Sequence, residues 1–222
     1  MRASSTAAHE LIPLAQLPLD LLQPAQPTLG NFVVGRNAEA LAAVQAFAAD
    51  RGPQIVYLWG PPGCGRSHLL RAVASVASTV PAFTPERHRY AVDDVHRLSE
   101  VEQARLFALI NEIRLAPATR VIAAGDAPPA ALALREDLRT RLAWGLTYPL
   151  QPLTDDDKRA ALTAQAAARG MPLTPEALDW MLAHLPRDLS TLTAALAALD
   201  AFALARQRAV TVALVREWLQ QQ

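Results

Sequence analysis

The sequence predicts an α/β protein: a P-loop domain in which helices flank a parallel sheet, followed by a small all-α domain. Three observations carry that expectation. Residues 55 to 72, IVYLWGPPGCGRSHLLRA, join a short apolar, β-branched and aromatic run to a glycine-rich turn and then to a helical segment. Short apolar runs then alternate with helical ones up to about residue 150, the pattern of a doubly wound parallel sheet. From Thr154 onward the pattern is helical to the end, broken at Gly170-Met171-Pro172 and at Pro186.

Taken in order, residues 1–28 carry Pro13, Pro18, Pro24 and Pro27 and read as an extended, disordered tail. The α/β domain is expected over 29–150 and the helical domain over 151–222. Asn37 to Ala49 reads as a helix, stopped by Asp50-Arg51-Gly52-Pro53. Ile55 to Trp59 is a buried strand. Val80 to Thr84 reads as a short strand, and Tyr90 to Val92 as another that ends in Asp93-Asp94. Glu100 to Leu115 sets Val101, Leu106, Leu109, Ile110 and Ile113 at helical spacing. Arg120 to Ala124 is a third apolar strand, stopped by Gly125-Asp126-Ala127-Pro128-Pro129. Thr154 before Asp155-Asp156-Asp157 is an N-cap with an acidic first turn, which suits the helix dipole better than it suggests a metal site. Thr174-Pro175-Glu176 opens the next helix in the same way, and the tail forms four helices in all.

The turn Gly60-Pro61-Pro62-Gly63-Cys64-Gly65-Arg66-Ser67 is the phosphate-binding pattern G-x-x-x-x-G-K-[ST] with Arg66 in the lysine's place. The glycines let backbone N–H groups converge on phosphate oxygens, the helix N-terminus that begins near His68 adds its positive end, and the Ser67 hydroxyl suits Mg²⁺. The alternative is a strand–helix turn that binds nothing. A guanidinium keeps the charge but is planar and bulkier than an ammonium, so diphosphate binding with slow hydrolysis is expected. Tyr90-Ala91-Val92-Asp93-Asp94-Val95-His96 has the shape of a Walker B strand end. Asp93 would serve Mg²⁺ and Asp94 would orient a water, against the alternative of an Asp-rich turn. Gly125-Asp126 falls where a γ-phosphate sensor would lie.

Composition excludes several classes. Lys+Arg and Asp+Glu are equal at 21 each, which argues against a dedicated nucleic-acid surface. No unbroken apolar run approaches membrane-spanning length, and no secretory leader precedes His9 and Glu10. One cysteine, Cys64, permits no internal disulfide and points to a reducing cytoplasm. Its place in the loop leaves a reactive thiol and a small filler as the two readings. The five histidines lack the spacing of a zinc site.

With these residues in view, the chain resembles the initiator-type AAA+ ATPases of the DnaA family over about residues 29–222. Leu29 to Asn37 is similar to that family's entry segment, which begins with an aromatic (Leu29 here) and lines the adenine pocket; the resemblance therefore adds Phe32 and Val33, and the P-loop residues from Gly60 to His68, to an ADP or ATP site. Leu138-Arg139-Thr140-Arg141-Leu142-Ala143-Trp144-Gly145-Leu146-Thr147 is similar to the family's S-R-F-x-W-G-L-T box, whose arginine is a finger; that implies Arg141. Read from the residues alone, Arg141 could instead pair with Asp137 one turn earlier. In the lid the family's G-D-x-R reads Arg187-Asp188-Leu189-Ser190, so Ser190 stands at the second sensor arginine and Arg187 is the remaining candidate.

The resemblance further implies that the family's helix-turn-helix domain would follow residue 222, so no sequence-specific DNA binding is expected. In the tail, Gln16-Leu17-Pro18-Leu19-Asp20-Leu21 resembles the Q-L-x-L-x-L peptide that bacterial proteins insert into the DNA sliding clamp, the β subunit of DNA polymerase III. Gln16, Leu17, Leu19 and Leu21 would be the docking residues. A clamp peptide on a DnaA-like core implies a negative regulator of replication initiation, cytoplasmic and free of membrane, that stimulates hydrolysis of ATP held by DnaA. The alternatives are an autonomous ATPase related to helicase loaders and a non-catalytic scaffold. A homo-oligomer is left open.

Overall fold

The computed structural model describes residues 26–221. The tail peptide Gln16 to Leu21 lies outside the described residues. Residues 26–161 and 162–221 form two compact units, the division falling inside one helix.

In the first unit a four-stranded, wholly parallel sheet is built from β1 (Ile55–Trp59), β2 (Arg89–Val92), β3 (Arg120–Gly125) and β4 (Leu146–Pro149), in the order β2-β3-β1-β4. β1 is central, with Trp59 opposite Gly125 of β3 and Pro149 of β4. Its side chains alternate between two cores, as period-2 geometry requires. Val56 and Leu58 share one core with Val44 and Phe47 of α1 (Ala38–Ala48) and Leu69 and Leu70 of α2 (Arg66–Val73). Ile55 and Tyr57 share the other with Leu106, Ile110 and Ile113 of α3 (Glu100–Leu115) and Leu138 and Leu142 of α4 (Glu136–Leu142). Helices therefore cover both faces of the sheet, and removing one such leucine costs about 2–5 kcal/mol.

Local chemistry sets several boundaries. Ser99 and Glu102 form a capping box at the start of α3, each side chain accepting from the other residue's N–H. Asn37 precedes α1 but does not cap it; its amide donates to the Gln151 carbonyl and accepts from the Gln151 N–H at 2.9 and 2.7 Å. The segment after β4 is thereby tied to the start of α1.

Val80 to Thr84, expected to be a strand, is irregular. Pro81 and Pro85 remove the N–H groups a ladder needs. The Tyr90 hydroxyl instead accepts from Thr84 N–H and donates to its carbonyl. On the outer side of β2 the sheet gains only one bridge, Val76 to Ala91. α4 and β4 were not anticipated as elements.

The second unit consists of the remainder of α5 (Asp155–Ala168) with α6 (Pro175–His184), α7 (Leu189–Arg206) and α8 (Val212–Leu219). Thr174, Asp188 and Thr211 cap α6, α7 and α8. α7 is long and apolar enough to cross a membrane by length and composition alone. Ser190, Thr191, Thr193 and Asp200 interrupt it, which is why the sequence holds no unbroken run. Its Leu192, Ala195, Leu196, Leu199 and Ala203 form the centre of the helical core with Met181, Leu214 and Trp218.

Candidate functional site

The P-loop joins the carboxyl end of central β1 to α2, the crevice where open α/β sheets take their ligands. Gly60 N–H donates to the Gly125 carbonyl of β3 at 3.3 Å, so the loop starts beside the neighbouring strand. Gly65 precedes α2 with φ +101°, and a Cβ there would lie 2.7 Å from the Phe32 ring. Only glycine meets both demands. α2 has no side-chain cap, unlike α3, α6, α7 and α8, so its first-turn amides are open to an anion.

Arg66 opens α2 with its side chain 10% exposed and Nη1 buried without a hydrogen-bond partner. Its nearest counter-charge is Asp94, at 3.8 Å from Nη2, beyond hydrogen-bond range. A buried guanidinium so poorly matched is costly unless an anion completes its shell. This orphaned cation beside an uncapped helix start fits phosphate. Ser67 and Asp93 offer the hydroxyl and carboxylate oxygens that suit Mg²⁺.

The end of β2 brings more groups to the same crevice. Asp93 accepts from the Asp94 N–H at 2.9 Å, and Asp94 adopts a left-handed backbone, φ 47°. His96, on the short turn that follows, has Nε2 4.0 Å from Asp94 and Nδ1 3.8 Å from Asp126, with Nδ1 otherwise unpartnered. Arg66, Asp94, His96 and Asp126 thus form one cluster, joining the expected P-loop, Walker B and sensor positions. Below it Tyr57 donates to the Ala127 carbonyl at 2.9 Å, and burial followed by the Asp126 charge pushes its phenol up. Cys64 is buried, and burial raises its thiol against the opposing pull of Arg66 and nearby amides. That favours the filler over the reactive thiol.

The entry segment folds over the loop. The Phe32 ring rests on Gly65 and lies 5.5 Å from the His68 ring, while His68 Nε2 donates to the Thr28 carbonyl at 2.9 Å. Val33 is half-buried beside Phe32. Pro61, Pro62 and Gly63 are exposed at the tip.

Arg141 lies elsewhere. Trp144 and Gly145 follow α4, and Gly145 is pressed against the Ile55 carbonyl at the start of β1. The P-loop leaves the other end of that strand, roughly 16 Å away at 3.3 Å per residue. Arg141 Nε donates to Asn111 Oδ1 at 2.7 Å, and its guanidinium carbon lies 4.2 Å from the Phe107 ring centre and 4.4 Å from that of Trp144. Asp137 is not its partner; Arg135 takes that carboxylate at 2.7 Å. In the helical unit Asp188 caps α7, with Arg187 before it and Ser190 exposed in the first turn.

Sequence reasoning quoted Asn37, His96 and Trp144 within their segments without giving any of them a role of its own, and it missed Asn111. Of these only the stripe Phe107, Asn111, Arg114 on α3, at i, i+4, i+7, left a signal.

Comparison with known proteins places this geometry. Residues 155–219 match the family model described as the lid domain of Hda. Domain III of the Thermotoga maritima replication initiation protein DnaA superposes with a TM-score of 0.69 at 19% identity, covering 90% of this chain and 98% of that one. AMPPCP-bound DnaA from Aquifex aeolicus gives 0.64 at 20% identity over 79% and 65% of the two chains. A point variant of Thermotoga maritima RuvB gives 0.63 at 15% identity over 87% and 71%. The fold is that of DnaA domain III, and residues 155–219 are similar to the lid domain of Hda.

Proposed function

We propose that this chain, a DnaA-like AAA+ core carrying an Hda-type lid, is a negative regulator of replication initiation that delivers Arg141 in trans to ATP held by DnaA. It holds an adenine nucleotide of its own at the P-loop and docks on the sliding clamp through Gln16, Leu17, Leu19 and Leu21. The lid match and the likeness to DnaA structures, one of them bound to AMPPCP, support this reading.

The observation that carries it is the position of Arg141. Anchored at the amino edge of the sheet, it stands about one strand length from its own P-loop. An arginine that acts on a γ-phosphate from there must act on a neighbour's nucleotide. A guanidinium delivered to a γ-phosphate stabilises charge on the equatorial oxygens and is worth about 10³–10⁵ in rate.

The chain's own site suits holding nucleotide more than turning it over. Arg66 and the open amides of α2 would grip the phosphates, with Phe32 and Val33 toward the base. Ser67 and Asp93 would hold Mg²⁺, which when bound neutralises phosphate charge. Asp94, the residue expected to orient a water, lies 3.8 Å from Arg66 Nη2 and 4.0 Å from His96 Nε2.

The test is ATP turnover by DnaA with and without this chain, in the presence of clamp loaded on DNA. The reading expects hydrolysis that requires DnaA and rises with the chain. Brisk turnover by the chain alone would favour an autonomous ATPase, and unchanged DnaA turnover would leave a scaffold.

A further inference from the structure

We infer that Asn111 is a positioning residue for Arg141, setting the guanidinium edge-on in an aromatic slot so that its two terminal nitrogens face a partner's phosphate. The inference rests on the trans-acting role of Arg141 and adds the residues that aim it.

An arginine on a short helix has four rotatable side-chain bonds, and ordering it on encounter would cost rotamer freedom. Here that freedom is already removed. Phe107, Asn111 and Arg114 recur at i, i+4 and i+7 on α3, so they share one face of that helix. Arg141 enters this face from α4, its guanidinium carbon 4.2 Å from the Phe107 ring centre and 4.4 Å from that of Trp144. Arg114 lies 4.1 Å from the same Trp144 ring, so aromatic and cationic groups alternate from Phe107 to Arg114. Each such contact is favourable, more so where partly desolvated.

The two ring contacts hold the guanidinium carbon but do not by themselves set where its nitrogens point. The Asn111 carbonyl oxygen removes this last freedom by accepting from Nε at 2.7 Å. With Nε engaged, Nη1 and Nη2 have no hydrogen-bond partner among the described residues and remain the pair that can fork phosphate oxygens. Trp144 is 45% exposed and Arg141 is only partly buried, so this wall of the slot reaches the surface. An arginine needed only for packing would have no reason to hold its outer fork free.

The geometry predicts an acceptor requirement at position 111. Asn111→Ala and the similarly sized Asn111→Leu should both lower the maximal stimulated rate of DnaA ATP hydrolysis, about tenfold to a hundredfold for a misaimed catalytic group. Asn111→Asp, whose carboxylate also accepts from Nε, should retain most of it. All three are compared at saturating concentration, with thermal unfolding recorded to separate folding from aim. If Asn111→Leu stimulates as fully as the parent while Arg141→Ala does not, Asn111 only fills space and the positioning role is wrong, with the finger intact. If Arg141→Ala itself stimulates fully, the finger and its positioning both fall.

Discussion

At the residue scale the decisive substitution is Arg66 for the lysine of the P-loop pattern. The side chain is nine-tenths buried, and among the described residues its Nη1 has no hydrogen-bond partner and its nearest counter-charge is at 3.8 Å. A lysine would present a compact point charge on a flexible stem; arginine presents a rigid fork that needs flat, bidentate company. Losing a charge-assisted contact of about 1.5–3 kcal/mol, Arg66→Ala should weaken ADP binding by about tenfold to a hundredfold, whereas Arg66→Lys should keep most of the affinity. Isothermal titration calorimetry checks both, and no ADP or ATP binding by the intact chain would refute the nucleotide site. Gly65 makes a second residue-scale test. Gly65→Ala meets both a left-handed backbone and the Phe32 ring, whereas Gly63→Ala, at φ +78° with open space around it, meets only the backbone. Both should lose stability by about 1–3 kcal/mol for the backbone alone, with Gly65→Ala the worse in chemical denaturation and in nucleotide binding.

Among the elements, β1, β2, β3 and α3 were legible in the sequence because each is buried on a regular period and punctuated by turn residues. The P-loop was legible because its chemistry lies in consecutive residues. α4 and β4 were not, since the apolar positions of residues 136–149 follow no sustained helical or strand period and β4 is an edge strand with Leu146 exposed. Val80 to Thr84 misled in the opposite sense: it is apolar but flanked by prolines, and its one buried valine packs without a ladder. The Arg141 slot was hidden because Asn111 acquires meaning only once α4 packs on α3. One junction of elements should also contribute to the pH dependence of stability. Asp50, just past α1 with φ 54°, receives Arg89 from β2 through two hydrogen bonds of 3.0 and 2.8 Å, with Arg120 of β3 at 3.6 Å. The hydrogen bonds from Arg89, aided by the charges of Arg89 and Arg120, hold its carboxyl below the ordinary 3.8. A carboxylate with a depressed folded pKa adds stability above its unfolded pKa and loses it as pH falls through the folded value. The melting temperature of the parent should therefore exceed that of Asp50→Asn at neutral pH, and the gap should close below about pH 4. A gap that persists unchanged in acid would contradict the ion-pair account.

At the scale of the whole molecule the proposed function needs three parts of one chain: a peptide that binds the clamp, a core that binds nucleotide and an arginine offered to a neighbour. Changing Gln16, Leu19 and Leu21 together to Ala should abolish clamp binding while leaving folding intact, since two buried leucines alone are worth at least a hundredfold at about 1.5–3 kcal/mol each. Unchanged clamp affinity in surface plasmon resonance would remove the peptide from the account. The central claim is that this chain acts on a neighbour's nucleotide through Arg141. It is tested most directly by the rate of hydrolysis of DnaA-bound ATP on clamp-loaded DNA with the parent chain, with Arg141→Ala and with Arg139→Ala. Arg139, two residues away, donates from Nη1 to the Ala130 carbonyl at 3.3 Å and is the internal control. The account predicts that Arg141→Ala keeps fold, nucleotide binding and clamp binding yet loses the stimulation, by about 10³-fold or more, while Arg139→Ala retains it. Full stimulation by Arg141→Ala would contradict it.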